Sequence, residues 1–135
     1  MTLSLIGCRI LIIEDDPQLL CAMARAFTNA GARVVLAANG ADGLKRFGPT
    51  PPDLVVTDII MPEREGIETI MAMKVARPEV PILAVSGGGQ IAAVEFLNLA
   101  KTLGADAILA KPFRSQQLLE TAAQILSSAH AHVAA

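Results

Sequence analysis

Five residues of this chain have the chemistry and the spacing to act together: Glu14 and Asp15 side by side, then Asp58, Ser86 and Lys111. Clustered carboxylates repel one another unless protons or a cation neutralise them. Hard divalent ions take oxygen ligands, and magnesium typically uses one or two carboxylates, retained waters and a phosphate oxygen. A serine hydroxyl and a lysine ammonium facing such an ion suit phosphate oxygens, one as a donor and the other as a fixed positive charge. A carboxylate at the centre can act as nucleophile and form an acyl phosphate. Taken singly, each residue has an ordinary use. Asp16 fits a helix N-cap, Glu14 and Asp15 fit solvated loop acids, Lys111 a surface lysine and Ser86 a turn residue.

For these groups to meet, the fold must carry them to one rim. Apolar runs rich in Val, Ile and Leu recur at 8–13, 33–38, 53–57, 81–85 and 106–110, nearly continuous rather than alternating. That pattern belongs to strands buried on both faces, as in parallel sheets. Helical patterns lie between them. The segment 17–30 carries Leu19, Leu20, Met23 and Phe27 at helical spacing, with Asp16 as N-cap, Pro17 in the first turn and Gly31 as stop. A short helix over 41–47 is weakened by Gly40 and Gly43, and 66–76 sets Ile67, Ile70 and Met71 on one face before Pro78. A helix over 91–103 is bounded by Gly104, and one over 116–128 follows Ser115 as N-cap; the tail over 129–135 is expected to fray.

Strand and helix therefore alternate five times along the sequence. The prediction is (βα)5, an α/β doubly wound parallel sheet of five strands, forming a single domain over 1–135 with its core at 8–128. Ligands of such sheets sit beyond the carboxyl ends of the strands, where strand order reverses. The acids at 14–16 follow the first run, Asp58 the third, Ser86 the fourth and Lys111 with Pro112 the fifth. The second run ends in Ala-Asn-Gly, as suits an edge strand remote from chemistry, and Asp53 reads as a strand-start residue.

Composition narrows the class. The chain has 135 residues, enough for one domain with a real core, and that core is aliphatic because there are 4 Phe and no Trp or Tyr. Thirteen acids against eleven bases, spread along the chain with a formal charge of -2, give no basic stripe for direct nucleic-acid binding. Cys8 and Cys21 have neither disulfide-framework nor metal-ligand spacing. No apolar run approaches the ~18 residues of a membrane span, and the N-terminus lacks the basic start of a signal peptide, so no membrane association and a cytoplasmic location are expected.

Together these residues resemble the receiver domains of two-component response regulators. The matching motifs are Ile-Leu-Ile-Ile-Glu-Asp-Asp-Pro at 10–17, Asp-Leu-Val-Val-Thr-Asp-Ile-Ile-Met-Pro at 53–62 continuing to Gly66 and Glu68, Val85-Ser86, and Gly104 through Lys111-Pro112-Phe113. The resemblance spans 8–128 and implies a flavodoxin-like sheet of strand order 2-1-3-4-5 in a stand-alone receiver without an output domain. It implies that Asp58 takes a phosphoryl group from a phosphohistidine on a sensor histidine kinase or histidine phosphotransfer protein. Magnesium would be held by the carboxylates of Asp15 and Asp58, by the Ile60 main-chain carbonyl, and by Glu14 through a water. Ser86 would bond a phosphoryl oxygen, and Lys111 would pair with Asp58 before phosphorylation and with phosphate after it, across a cis Lys111-Pro112 bond. The protein would switch a downstream protein partner or relay phosphate, as a monomer or homodimer. It would not be an enzyme beyond self-phosphorylation on Asp and slow self-dephosphorylation.

The departures carry information too. The family usually has Tyr or Phe where Ile108 stands, so the usual aromatic readout is missing and any switch must run through Ser86 and the glycines at 87–89. Neither Ile60 nor Gly88 offers a polar side chain to orient a hydrolytic water. The helices at 91–103 and 116–128 carry only Glu95, Lys101 and Glu120 as charges, which suggests an apolar partner surface there. Other readings fit less well. A magnesium phosphohydrolase with an Asp nucleophile wants a second Asp where Ile60 stands. A flavodoxin-like electron carrier wants a Ser/Thr-rich phosphate loop after the first strand and an aromatic to stack on the flavin. A dinucleotide site at Gly87, Gly89 and Ala92 lacks its acid about 20 residues on. A phosphorylation-independent docking module would have no need of the acids, Ser86 and Lys111.

Overall fold

The computed structural model describes residues 5–59, 65–86, 102 and 104–134, the side chains at 65, 86 and 130–134 excepted. The elements run β1 (Arg9–Ile13), α1 (Pro17–Asn29), β2 (Arg33–Ala37), α2 (Gly40–Phe47), β3 (Leu54–Asp58), α3 (Glu65–Ala76), β4 (Ile82–Ser86), β5 (Ala107–Ala110) and α4 (Ser115–Ala134). The strands form one 5-stranded sheet of order β2-β1-β3-β4-β5, parallel at every pairing. The alternation predicted from the apolar runs is therefore present, and each strand lies within a residue or two of its run. The helix predicted over 91–103 falls almost wholly outside the described residues.

The continuous apolar strands have a simple cause. Successive side chains of a strand point to opposite faces, and here both faces are covered. Ile10 and Ile12 of β1, Leu54 and Val56 of β3, and Leu83 and Val85 of β4 pack with Met23 and Phe27 of α1 and Leu118, Ala122 and Leu126 of α4. Their neighbours Leu11, Ile13, Val55, Ile82 and Ala84 pack with Phe47 of α2 and Ile70 and Met73 of α3. Edge position shows in burial: β3 is buried throughout, whereas β2 and β5 are mostly half-buried.

The amino ends of the strands are tied by acids of their own. Asp53 Oδ2 accepts the Arg9 N–H at 2.8 Å, which confirms its place at a strand start. Asp106 Oδ2 accepts the Ile82 N–H at 2.8 Å and the Lys74 ammonium at 3.1 Å, and Lys74 also reaches the Val80 carbonyl at 3.1 Å. This latch joins α3, β4 and β5 at the end of the sheet away from Asp58.

Helix ends and faces bring both agreement and correction. Asp16 caps α1 by accepting the Gln18 N–H at 3.0 Å, Pro17 opens the helix, and the chain leaves it through Gly31 at φ 92°. In α4, Ser115 is already helical. Gln117 folds its side-chain oxygen back to accept the Arg114 N–H at 2.9 Å, so the capping position is Arg114 rather than Ser115. Helical backbone then runs past Ala129, where fraying was expected, to Ala134. The exposed face of α4 is Gln116, Gln117, Glu120, Gln124, Ser127 and Ser128, while Leu118, Ala122 and Leu126 are buried. An apolar outer surface on that helix is thus overturned: its few charges reflect uncharged polar residues outside, not apolar ones. In α3, Ile70 and Met73 face the core but Met71 is 53% exposed and Val75 85%. Apolar residues surround that helix, so spacing alone could not fix which stripe turns inward.

Candidate functional site

Parallel pairing carries β1, β3, β4 and β5 to end side by side, and the polar residues gather at that rim. The Glu14 N–H still bonds the Ala37 carbonyl at 3.1 Å, so the chain stays in register one residue beyond β1 before Asp15 turns outward. Asp58 is the last residue of β3, paired with Val85, and Ser86 ends β4 beside Ala110. Lys111 follows β5 directly, and the Lys111-Pro112 bond is cis.

These elements bring three carboxylates and one ammonium together. Glu14, Asp15 and Asp58 can each present an oxygen with all such atoms within 4.8 Å of one another. Lys111 Nζ sits 2.9 Å from Glu14 Oε1 and 2.9 Å from Asp58 Oδ2. The other Glu14 oxygen accepts the Asp16 N–H at 3.0 Å, so the residue that caps α1 also holds the acid two places before it. Glu14 is 1% exposed and Asp58 4%, while Asp15 faces solvent.

Burial pushes the Glu14 carboxyl above its ordinary range. The Lys111 and Asp16 hydrogen bonds act against this, and Asp15 and the Asp58 charge add to it. For Lys111, burial alone would lower the ammonium, but its bonds to Asp58 and Glu14 and their charges outweigh burial and raise it. The lysine is therefore firmly charged. With all three acids ionised, the rim retains two negative charges after Lys111 is counted.

That residual charge and donor set fit one hard divalent cation. Octahedral bonds of about 2.0–2.1 Å place opposite oxygens ~4.2 Å apart, close to the spread of these carboxylates. Among the residues named from sequence, the structure unites Glu14, Asp15, Asp58 and Lys111 and sets the Ser86 backbone on the same rim. Ile60 and the glycines at 87–89 lie outside the described residues. Spacing did not reveal that Lys111 is shared between Glu14 and Asp58, because that depends on the burial of Glu14. Ile108 pairs with Ala84 and packs against the cluster under α2 and α3. A cavity of about 580 Å³ between the amino ends of β4 and β5 and the later turns of α4 lies at the other end of the sheet, where Asp106 belongs to the latch.

A doubly wound parallel sheet of order β2-β1-β3-β4-β5 with an acidic cluster at its carboxyl rim defines a flavodoxin-like α/β domain. The chain belongs to the response regulator receiver domain family, whose profile matches residues 10–123. It is 33% identical over 122 residues to the response regulator receiver protein CpdR of Brucella abortus, covering 90% of this chain and 98% of that protein. It is 34% identical over 116 residues to the Regulator of RpoS of Escherichia coli, covering 84% of this chain but spanning only 33% of that longer protein. A CheY-like receiver domain structure from Methanospirillum hungatei superposes with a TM-score of 0.85 at 28% identity, covering 93% of this chain and 98% of that one. Members of this family are signalling domains. No helix among the described residues is long and apolar enough to cross a membrane.

Proposed function

We propose that this chain is a phosphoacceptor: Asp58 receives a phosphoryl group from the phosphohistidine of a sensor histidine kinase or histidine phosphotransfer protein. The observation that carries this reading is the Asp58 carboxylate, buried at a strand end, 2.9 Å from Lys111 and flanked by Glu14 and Asp15. Asp15 and Asp58 would hold Mg2+ by carboxylate, Ile60 by its main-chain carbonyl, and Glu14 through a water. When bound, the ion neutralises the rim and the developing charge on the phosphoryl oxygens. Glu14 suits an indirect role, since both its oxygens already accept donors.

In the transfer, an Asp58 carboxylate oxygen forms the new bond to phosphorus. The P–N bond of the phosphohistidine breaks and the imidazole keeps the electron pair. Lys111 shifts its contact from Asp58 to the phosphoryl oxygens, and once the group is on Asp58 the Ser86 hydroxyl donates to one of them. The positioned groups do the work, as little covalent chemistry is asked of the protein. The acceptor then returns slowly to carboxylate by hydrolysis, so the chain is not a turnover enzyme. On this reading residues 1–135 act as one receiver domain in the cytoplasm. It switches a downstream protein partner or relays phosphate, with no direct contact to nucleic acid.

The test is intact mass after incubation with acetyl phosphate and magnesium. Gain of one phosphoryl group in the unmutated protein, absent without magnesium and absent in Asp58→Asn, is the expected result. No adduct, or one that survives Asp58→Asn, overturns the reading.

A further inference from the structure

We propose that Gly66 is a positioning residue for Asp58. Lacking a side chain, it lets the first turn of α3 rest on the Asp58 and Ile59 carbonyls, and that contact sets where the Asp58 carboxylate stands. This deepens the phosphoacceptor reading and rests on it.

A Cβ built at Gly66 would lie 2.5 Å from the Asp58 carbonyl oxygen, 2.8 Å from the Ile59 carbonyl carbon and closer still to the Ile59 oxygen. Real Cβ atoms do not approach backbone so closely, and unlike a side-chain tip a backbone carbonyl cannot rotate aside. Two other glycines, one within α2 and one at its C-cap, make the contrast. At Gly43 the nearest atoms belong to the Ile13 side chain, and at Gly48 the nearest contact is an ordinary 3.8 Å. Gly66 has the contact that reaches the site.

Neither side of this contact is free to yield. The end of β3 is fixed in the sheet, where Asp58 pairs with Val85 and the Ile59 N–H bonds the Val85 carbonyl at 3.0 Å. Helix α3 is anchored by Ile70 at 0% and Met73 at 1% exposure, by Lys74 to Val80, and by Arg77 to the Gly48 carbonyl at 3.3 Å. An added methyl therefore displaces the Asp58-Ile59 peptide, and Ile60, whose carbonyl is the implied metal ligand, is next along the chain. Lys111 bridges Glu14 and Asp58 at 2.9 Å each, and a shift of a few tenths of an ångström at Asp58 unbalances that bridge.

The experiment compares the full chain with Gly66→Ala, with Gly48→Ala at the C-cap of α2 as a neutral glycine control, and with Ile70→Val as a control that loosens α3 without touching the carbonyls. Three readouts are taken: magnesium affinity by calorimetry, the rate of phosphoryl gain from acetyl phosphate at saturating magnesium, and backbone amide NMR shifts. Gly66→Ala is expected to move the Asp58 and Ile59 amide resonances and weaken magnesium binding several-fold. It should slow phosphoryl gain by about tenfold or more, the scale of loss when reacting groups are misplaced by part of an ångström. Gly48→Ala should match the unmutated protein, and Ile70→Val should lower the melting temperature with magnesium affinity unchanged. Unaltered magnesium affinity and phosphoryl gain in Gly66→Ala overturn the proposal. So does an equal loss in Ile70→Val, or failure of Gly66→Ala to fold, which makes Gly66 a core residue rather than a site residue. If the unmutated protein itself takes no phosphoryl group, the acceptor reading falls, while the magnesium and NMR arms still decide what Gly66 positions.

Discussion

Replacing Lys111 by methionine keeps the stem of the side chain and removes the charge that Glu14 and Asp58 share. Both carboxylates are nearly excluded from solvent, with side-chain exposures of 1% and 5%, so the variant leaves two buried acids facing each other without their counter-charge. Breaking a buried ion pair by deleting one partner costs about 3–5 kcal/mol. The lysine side chain is itself 21% exposed, and water can partly replace it. A loss of about 2–4 kcal/mol in magnesium-free buffer is therefore expected near neutral pH. Absence of Trp and Tyr rules out intrinsic tryptophan fluorescence, so urea unfolding is followed by far-ultraviolet circular dichroism.

The pH dependence gives the experiment its discrimination. Burial has already raised the Glu14 carboxyl above its ordinary value of 4.5, and the Lys111 hydrogen bond is the strongest effect holding it down. In Lys111→Met it rises further. A carboxyl whose folded value lies above its unfolded one binds its proton more readily in the folded state, so its stability contribution is fully present at low pH. That contribution is lost as pH climbs from the ordinary carboxylate range through the raised folded value. Lys111 in the unmutated protein is raised above 10.5, so its own contribution is constant over the same window and fades only in strong alkali. The gap between the two proteins should thus be small near about pH 5 and widen toward about pH 7.5. Magnesium should narrow it again: it stabilises both folded proteins by mass action, but the variant's three carboxylates, with no ammonium among them, bind the cation more tightly and gain more. A gap below about 1 kcal/mol, or one that neither pH nor magnesium alters, would refute the shared-lysine account of the site.

The remaining expectations concern the frame and its thiols. Phe27, at 0% exposure, should cost about 3–5 kcal/mol when cut to alanine, whereas Val75→Lys on the 85% exposed face of α3 should stay within about 0.5 kcal/mol by the same urea titration. Asp106→Ala removes the acceptor for Ile82 N–H and Lys74, and should destabilise by about 1–3 kcal/mol. Its magnesium affinity and phosphoryl gain should be unchanged, because the latch lies at the opposite end of the sheet; loss of either would show that the two ends are coupled. Cys21 is exposed, whereas Cys8 is half-buried with its thiol pushed up by burial and then by the Asp53 charge. Iodoacetamide followed by peptide mapping should therefore label Cys21 first, and the reverse order would contradict the packing of Cys8. With no polar side chain at Ile60 or Gly88, phosphorylated protein should decay over minutes or longer at neutral pH, and a lifetime of seconds would count against that expectation.

The features legible in the sequence are those where one physical requirement has one chemical answer. Strands buried on both faces must be apolar throughout, so β1, β3 and β4 announced themselves as unbroken runs. A helix beginning at an Asp-Pro step needs its cap, and Asp16 with Pro17 marked the start of α1 to the residue. The acids at 14, 15 and 58 could be grouped because parallel strands end at one rim and only groups at carboxyl ends share it. Where several arrangements satisfy the same rule, the sequence was mute. Helix α3 is apolar on every side, and the stripe that faces the core includes Met73 rather than Met71. Helix α4 has few charges because its outer face is Gln and Ser, a choice that charge counting cannot distinguish from an apolar surface. The Glu14–Lys111 contact is a long-range outcome of burial across 97 positions, and no local pattern encodes it.

Charge balance at the rim links the site to its response. Three carboxylates and Lys111 leave two negative charges, which a divalent cation cancels. On the proposed reading, transfer replaces the single charge of Asp58 with nearly two on the phosphoryl group, so the loaded site again carries an excess close to one negative charge. Lys111 is already committed, with its ammonium at 2.9 Å from two acceptors, and it can move but cannot add charge. The excess calls for new hydrogen-bond donors, and on the proposed reading the Ser86 hydroxyl, at the end of β4, is one. Ile108, packed into the core cluster beneath α2 and α3, has no donor to contribute and no aromatic ring to swing outward. On this reading the phosphoryl group on Asp58 draws on Ser86 as well as Lys111, and Ser86→Ala should leave phosphoryl gain largely intact while abolishing any change in partner affinity that phosphorylation brings.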